Sequence, residues 1–294
     1  MSNQEPNISI PVDLTNPGQF FACCGLLELA DRIWPGAEGW FTDGMFNVTG
    51  IKSMNFNSLM DSVIQSRVLN TMTPEKAARL EVLASMTKKA RERLPGLEDE
   101  KKTLEALRRE EPIVLDGKAC LRIDWFCDNS AGGSRFKTWA GQQSVLDITQ
   151  AMHGGLASIL HLSESMLWSN AHGIGLPFNF DSDLGGQGSA LDIGFSFDPL
   201  AGSEVTRIEG TCKPALEFLC FVGLQRFRPR EVKGENRFVY AAWNPPLAPG
   251  VAAAAVCQAI KLSAAKCYEF RLLYRTKYLK SFLPAQPFQG DRNE

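Results

Sequence analysis

Apolar and polar residues change period along the chain, and the changes mark out its elements. Ile8-Ser9-Ile10-Pro11-Val12-Asp13-Leu14 alternates, which predicts a strand. Asn16-Pro17-Gly18 then reads as a helix start, with Asn16 as N-cap and Pro17 in the first helical position. The helix runs to about Ile33 and is apolar on nearly every side, so burial on several faces is expected. Trp34-Pro35-Gly36 ends it, and Glu38 to Gly50 reads as a short hairpin. Thr73-Pro74-Glu75 is a second capped start. Glu75 to Glu111 is dense in charge and helix formers, and Pro95-Gly96 divides it into two expected helices. Its ten Lys/Arg against nine Asp/Glu make it mixed in sign. That suits a solvated helical hairpin held by i,i+4 pairs, or an arm that docks a partner.

Ile113-Val114-Leu115 and the stretch Lys118 to Phe126 flank Asp116-Gly117, a strong hairpin signal. Leu121, Ile123 and Trp125 fall on one face of the second strand, and a turn at Gly132-Gly133 follows. From about Gln142 to Trp168 a helical period returns through Val145, Ile148, Met152, Leu156 and Ile159, with Gly154-Gly155 expected to break or bend it. Phe178 to Asp198 is rich in Gly and Asp and then strand-like. Pro214 to Phe227 reads as an apolar helix, Arg237 to Trp243 as a strand, and Pro249 to Ala265 as an Ala-rich helix. In the last strand Tyr268, Phe270, Leu272 and Tyr274 share one face, while Glu269, Arg271, Leu273 and Arg275 share the other. Residues after Pro284 are expected to form a loose tail.

No regular β-α-β period appears, so the expected fold class is α+β: a mixed or antiparallel sheet with packed apolar helices and a charged helical-hairpin insertion. The expected organisation is 1–70 (strand, buried helix, hairpin), 71–112 (charged arm), 113–284 (main α+β domain) and 285–294 (tail). One internal echo stands out. Phe20-Phe21-Ala22-Cys23-Cys24-Gly25-Leu26 aligns with Phe218-Leu219-Cys220-Phe221-Val222-Gly223-Leu224. Both are apolar helices with Gly-Leu at one offset, and a glycine there lets another backbone come close. A true repeat and chance similarity of two buried helices both fit.

Composition narrows the class. The 294 residues are 44% hydrophobic and 22% charged, which excludes wholesale disorder and allows a core without disulfide or metal staples. Lys and Arg total 31 against 33 Asp and Glu, a formal net charge of −2. That argues against coating nucleic acid by bulk charge but leaves room for a local basic groove. Met1 to Ile10 has neither the basic nor the apolar part of a secretory signal. Phe20–Leu27 and Val251–Cys257 fall far short of the roughly 20 apolar residues of a membrane span. The expectation is a cytoplasmic protein with no membrane partner. Cys23, Cys24, Cys120, Cys127, Cys212, Cys220, Cys257 and Cys267 include no C-x-x-C, which favours reduced core thiols over disulfides or zinc.

Candidate chemistry is sparse. His153, His161 and His172 form no H-E-x-x-H, and packed, hydrogen-bonded imidazoles are expected. Cys23 lies well inside a helix, a poor place for a reactive thiolate. Gly185-Gly186-Gln187-Gly188 lacks the ending of a P-loop. Asp181 and Asp183 just before it could hold a divalent ion or simply close a turn. The expectation is no catalytic residue, no metal and no cofactor.

Basic residues cluster better. Arg226, Arg228, Arg230 and Lys233 follow a helix, with Phe227 interleaved. Arg271, Arg275, Lys277 and Lys280 line the last strand and its exit, beside Tyr274 and Tyr278. Arg135, Lys137, Trp139, Gln142 and Gln143 surround an expected helix N-terminus. Cations neutralise phosphates, aromatics stack on unpaired bases, Gln reaches base edges, and free N–H groups at a helix start bind phosphate.

The run Pro11-Val12-Asp13-Leu14-Thr15-Asn16-Pro17-Gly18-Gln19-Phe20-Phe21-Ala22-Cys23-Cys24-Gly25-Leu26-Leu27-Glu28-Leu29-Ala30 resembles the start of a CRISPR-associated subunit family of the type I-G (formerly I-U) systems, the Csb-three/Csx-fourteen group. Gly223-Leu224-Gln225-Arg226-Phe227-Arg228-Pro229 is similar to a second stretch of it, and Lys137-Thr138-Trp139-Ala140-Gly141-Gln142-Gln143 to a third. The resemblance implies a non-catalytic subunit of an RNA-guided, Cascade-like antiviral complex, in the large-subunit position. Its implied partners are the backbone and guide-processing subunits, guide RNA, target DNA and a recruited helicase-nuclease. It carries over no catalytic residue. Two alternatives stand beside it: a structural subunit that bridges proteins through Glu75–Glu111, and a small-molecule enzyme built on Asp181, Asp183 and the Gly185–Gly188 loop.

Overall fold

The computed structural model describes residues 5–127, 136–139, 144–159, 163–169, 172–173, 177–183, 211–232, 236–274 and 280–288. The fold is α+β, and every strand pair among these residues is antiparallel.

The chain opens with β1 (Ile8–Pro11) and then α1 (Pro17–Ile33). The Asn16 side chain accepts the Gln19 N–H at 3.2 Å, so the cap forms where Asn-Pro places it. Every residue of α1 from Pro17 to Ala30 is buried. A hairpin of β2 (Glu38–Thr42) and β3 (Met45–Thr49) follows and pairs back onto β1, in the order β1-β3-β2. The outer edge of β1 is closed by side chains. Glu164 accepts the Ser9 N–H, Pro11 has no N–H to offer, and the Trp168 indole donates to the Pro11 carbonyl at 2.7 Å. A short helix α2 (Phe56–Ile64) leads into a second sheet of β4 (Arg67–Asn70), β5 (Ile113–Asp116) and β6 (Leu121–Ile123).

Between β4 and β5 lie three helices rather than the expected two: α3 (Pro74–Ser85), α4 (Lys88–Glu92) and α5 (Leu97–Glu110). The break at Met86 arises because Thr87 starts a new helix by accepting the Ala90 N–H. Buried Arg91 on α4 donates to the Leu83 and Met86 carbonyls at the end of α3 and pairs with Glu98. Leu80, Leu83 and Leu104 form a small core of this arm, separate from the main one.

The chain continues through α6 (Val145–Gly155), which passes at the double glycine into a 3-10 turn, Leu156–Ile159. A two-stranded ribbon joins β7 (His172–Gly173) to β8 (Thr211–Cys212). The apolar helix α7 (Pro214–Gly223) follows, then β9 (Arg230–Val232), β10 (Arg237–Ala242), helix α8 (Pro249–Val256), β11 (Lys266–Tyr274), β12 (Lys280–Phe282) and β13 (Gln286–Pro287). The Ala-rich helix α8 stops well short of Ala265. Gln258 adopts a left-handed φ of 60°, and its N–H and that of Ile260 cap the last carbonyls at Ala255 and Ala254. The chain after Pro284 is not loose as far as Phe288. Ala285 N–H binds the Thr15 carbonyl at 2.7 Å, β13 pairs with β11, and Phe288 N–H binds the Cys267 carbonyl. Residues 289–294 lie outside the described residues.

One core joins the N-terminal elements to those after Ile113. At its centre α1 crosses α7, and the sequence echo is the contact itself. A Cβ built on Gly25 would sit 2.0 Å from the Leu219 carbonyl oxygen, and one built on Gly223 would sit 2.0 Å from that of Phe21. The two helices thus meet reciprocally, each glycine under the other's backbone. Beneath them lies the inner face of the sheet β12-β11-β10-β9, whose Phe238, Tyr240, Phe270 and Leu272 are buried; Tyr240 and Phe270 pack on Phe21. Strand alternation therefore turns the intervening side chains to the opposite face, and that face carries the arginines.

Candidate nucleic-acid interface

The basic residues after α7 divide into two environments. Arg226 lies beside the α1–α7 crossing and points at Glu28, whose residue is 1% exposed. Arg226 Nε is 2.6 Å from Glu28 Oε2, and Arg32 Nε is 2.7 Å from Oε1. Glu28 stands three residues beyond Gly25 and Arg226 three beyond Gly223, so the pair sits at the same offset from the crossing, Glu28 within α1 and Arg226 in the turn just past α7. A desolvated carboxylate needs such partners, and it pins Arg226 to the fold. The side chain of Arg226 is still 40% exposed, and two guanidinium groups share one carboxylate.

Arg228 and Arg230 run onward in extended chain. Arg228 is half-buried, with no side-chain partner among the described residues. Arg230 begins β9 and donates from Nε to Gln258 Oε1 at 2.8 Å. The register of the sheet then sets the site. Val239 lies opposite both Arg230 and Glu269, and Arg237 opposite both Val232 and Arg271. Directly opposed residues share a face, so Arg230, Arg237, Glu269 and Arg271 all project from the outer side, on strands about 4.8 Å apart. Among the described residues three guanidinium groups and one carboxylate project there, around a fully buried Val239 and with the Arg237 side chain 15% exposed. Glu269 is taken by Arg237 at 2.5 Å and by the Gln286 amide at 2.7 Å. Arg271 is exposed and has no side-chain partner among the described residues. The face can hold anions by charge and by planar guanidinium donors.

The register thus brings Arg230 of the first basic group and Arg271 of the second onto one face, and adds Arg237. The sequence does carry a signal for Arg237: it stands at the start of an apolar strand, but its match to Arg271 needs the pairing of β10 with β11. Lys233, Arg275 and Lys277 lie outside the described residues, as do Gln142 and Gln143 of the third group.

Within that third group, packing corrects Trp139. Trp139 is 2% exposed and lies within 6.2 Å, ring to ring, of Trp125, Phe126, Phe178 and Phe221. It is a core residue and offers no face to a base. Its apolar surface outweighs the polar character of its neighbours in sequence. Lys137 places its ammonium 5.5 Å from the Trp139 ring centroid, a cation–π contact at the edge of this cluster.

The aspartates do not form an open cation site. Lys213 Nζ is 2.8 Å from Asp181 and 3.6 Å from Asp183, so an ammonium already sits between the two carboxylates. The Asn16 amide also donates to Asp181 at 2.8 Å. Beside them Glu217 is fully buried and accepts the Phe180 and Asp181 N–H groups. Burial pushes its carboxyl up to about 8, against the pull of those donors. The Gly185–Gly188 loop lies outside the described residues. Among the described residues no three His, Cys, Asp or Glu side chains converge as metal ligands.

His153 binds the Val63 carbonyl at 2.8 Å and packs edge-on to Phe218. All eight cysteines are free thiols, and burial pushes Cys23, Cys24 and Cys220 up, away from thiolate chemistry. No helix of the described residues is long and apolar enough to cross a membrane. No protein-family model, curated protein or solved structure matches this chain.

Proposed function

We propose that this chain is a non-catalytic subunit of an RNA-guided, type I-G CRISPR interference complex and contacts the guide RNA or the target DNA strand through the outer face of the β9–β12 sheet. The observation that carries the contact is the placement of exposed Arg271 and half-buried Arg230 on one sheet face where, among the described residues, the one carboxylate, Glu269, is already held by Arg237 and Gln286. Such a face supplies the local positive field that a net charge of −2 hides. The placement in an effector complex rests on the resemblance of the Pro11–Ala30 and Gly223–Pro229 stretches. The proposed partners are the other effector subunits and, through the assembled complex, the helicase-nuclease.

The test is a tagged pull-down from cells carrying the neighbouring genes and a guide array, at low salt. Co-elution of further subunits with guide-sized RNA is expected. A lone, RNA-free protein would overturn the reading.

A bridging role for the charged arm is favoured by one observation: Val82 on α3 and Leu94 in the turn between α4 and α5 are more than half exposed, on an arm whose own core is small. If the arm docks a subunit, replacing both with Ser removes that subunit from the eluate and leaves the RNA content of the remainder unchanged.

A further inference from the structure

Next to the arginine face is a cavity of about 530 Å³ that the basic clusters do not announce. Its floor is the outer side of the sheet, at Ala241 and Cys267. One wall is the turn that ends α8, from Ala255 through Gln258 and Ile260 to Ala265, and Phe288 closes another side. The size falls in the range of small-molecule sites.

The lining has a marked chemistry. Among the described residues its charged lining is Arg230 and Lys261, with no carboxylate. Ala241, Ala255 and Ala265 line it without polar side-chain atoms, with Ile260 and Leu262 beside them. Gln258, in its left-handed conformation, lines the cavity. Its carbonyl oxygen accepts from Arg230 Nε at 2.8 Å, and its amide donates to Cys267 Sγ at 3.0 Å. Arg230 is therefore oriented in advance, with its two terminal nitrogens without partners among the described residues. Phe288 is fixed through its backbone N–H to the Cys267 carbonyl at 2.9 Å. Its half-exposed ring stacks on no other ring among the described residues.

A cavity of mixed polar and apolar lining, with one free aromatic face and two cations, fits a flat ring system bearing an anion. We infer that the cavity takes a single unpaired nucleotide of a bound strand, with the base beside Phe288 and the adjoining phosphate on Arg230 and Lys261. The inference rests on the nucleic-acid reading above. Arg230 belongs to both sites, so a strand lying over exposed Arg271 is led to the cavity. Aromatic stacking tolerates any base, so the pocket holds a position along the strand rather than a sequence.

The experiment uses the full chain and a short single-stranded RNA carrying one 2-aminopurine, whose fluorescence is quenched by stacking. A parallel RNA with 4-thiouridine maps the contact by photocross-linking. Quenching on binding, and a cross-link in the peptide that spans Cys267 or Phe288, are expected. Phe288→Ala should abolish the quenching and weaken binding by roughly tenfold, the size of one stacking contact. Lys261→Glu alters an exposed side chain, where substitutions change stability by about 0.5 kcal/mol or less, and it should weaken binding by a similar factor. RNA that binds both variants with unchanged affinity and quenching would overturn the pocket and leave the arginine face standing. RNA that binds none of the proteins would overturn both. A free nucleoside monophosphate that binds as tightly as the strand would overturn the strand as occupant and reassign the cavity to a small molecule.

Discussion

Substitution of Gly25 by Ala probes the centre of the fold most sharply. The added Cβ lies 2.0 Å from the Leu219 carbonyl oxygen, about 1.4 Å inside ordinary contact, which begins at 3.4 Å. The obstacle is helix backbone, so no rotamer relieves it. The helices must separate, and the neighbours Phe21, Leu26, Phe218 and Phe221, all 0% exposed, lose contact as the gap opens. Overpacking in tolerant sites costs about 1–3 kcal/mol, and loss of packing over this crossing adds to it. The intrinsic gain of Ala over Gly in a helix returns about 1 kcal/mol. With the packing loss the gross cost is about 4 kcal/mol, above the usual overpacking range because the clash is with backbone, and the net loss is about 3 kcal/mol. With an unfolding entropy near 2.1 cal/mol/K per residue, that lowers the melting temperature of a chain this long by about 5 °C. Gly223→Ala should cost as much, because its Cβ meets the Phe21 carbonyl at the same 2.0 Å. One separation relieves both clashes, so the double variant should be little worse than either single one. Gly154→Ala, where a Cβ meets nothing within 4 Å, is the control and should be neutral or slightly stabilising. Calorimetry or a thermal melt by circular dichroism reads all four. Single variants within about 1 °C of the parent, or costs that simply add, would refute the reciprocal crossing.

Other substitutions test the side chains around it. Glu28→Gln leaves two arginines without their carboxylate and should cost about 2 kcal/mol in a denaturant titration, while Arg32→Ala alone should cost less because Arg226 remains paired. Glu217 holds its proton in the folded state up to about 8 and in the unfolded chain only to the ordinary 4.5. The folded state therefore binds more protons in that window, and stability should fall as pH rises from about 4.5 to about 8. Melting temperatures of Glu217→Gln across the same window should lack that slope; parallel profiles would contradict it. Trp139→Ala should cost about 3–5 kcal/mol by chemical denaturation and leave the RNA affinity of the folded fraction unchanged, as suits a core residue.

Local signals were the legible part of the sequence. Asn16-Pro17 and Thr73-Pro74 place helix starts because capping is decided within four residues. The Gly25/Gly223 echo was visible as a pattern, but nothing local says that the two helices touch each other rather than two further backbones. The face shared by Arg230 and Arg271 was not legible. It depends on which strands become neighbours and on a register in which one slip moves every side chain to the other face. Trp139 misled because its neighbours in sequence are polar while its neighbours in space are Trp125, Phe126, Phe178 and Phe221. The cavity beside Phe288 was hidden for the same reason as the ordered 285–288 segment. Both follow from pairing with β11, which no pattern near the end of the chain reveals.

The central claim is that the outer sheet face meets nucleic acid, and the salt dependence of single-stranded RNA binding tests it most directly. Each phosphate neutralised contributes about 0.7 to the slope of log affinity against log salt. The variant Arg228→Ala with Arg230→Ala and Arg271→Ala should bind more weakly, with a slope shallower by about 2 than the parent's. An unchanged affinity and an unchanged slope would contradict the claim.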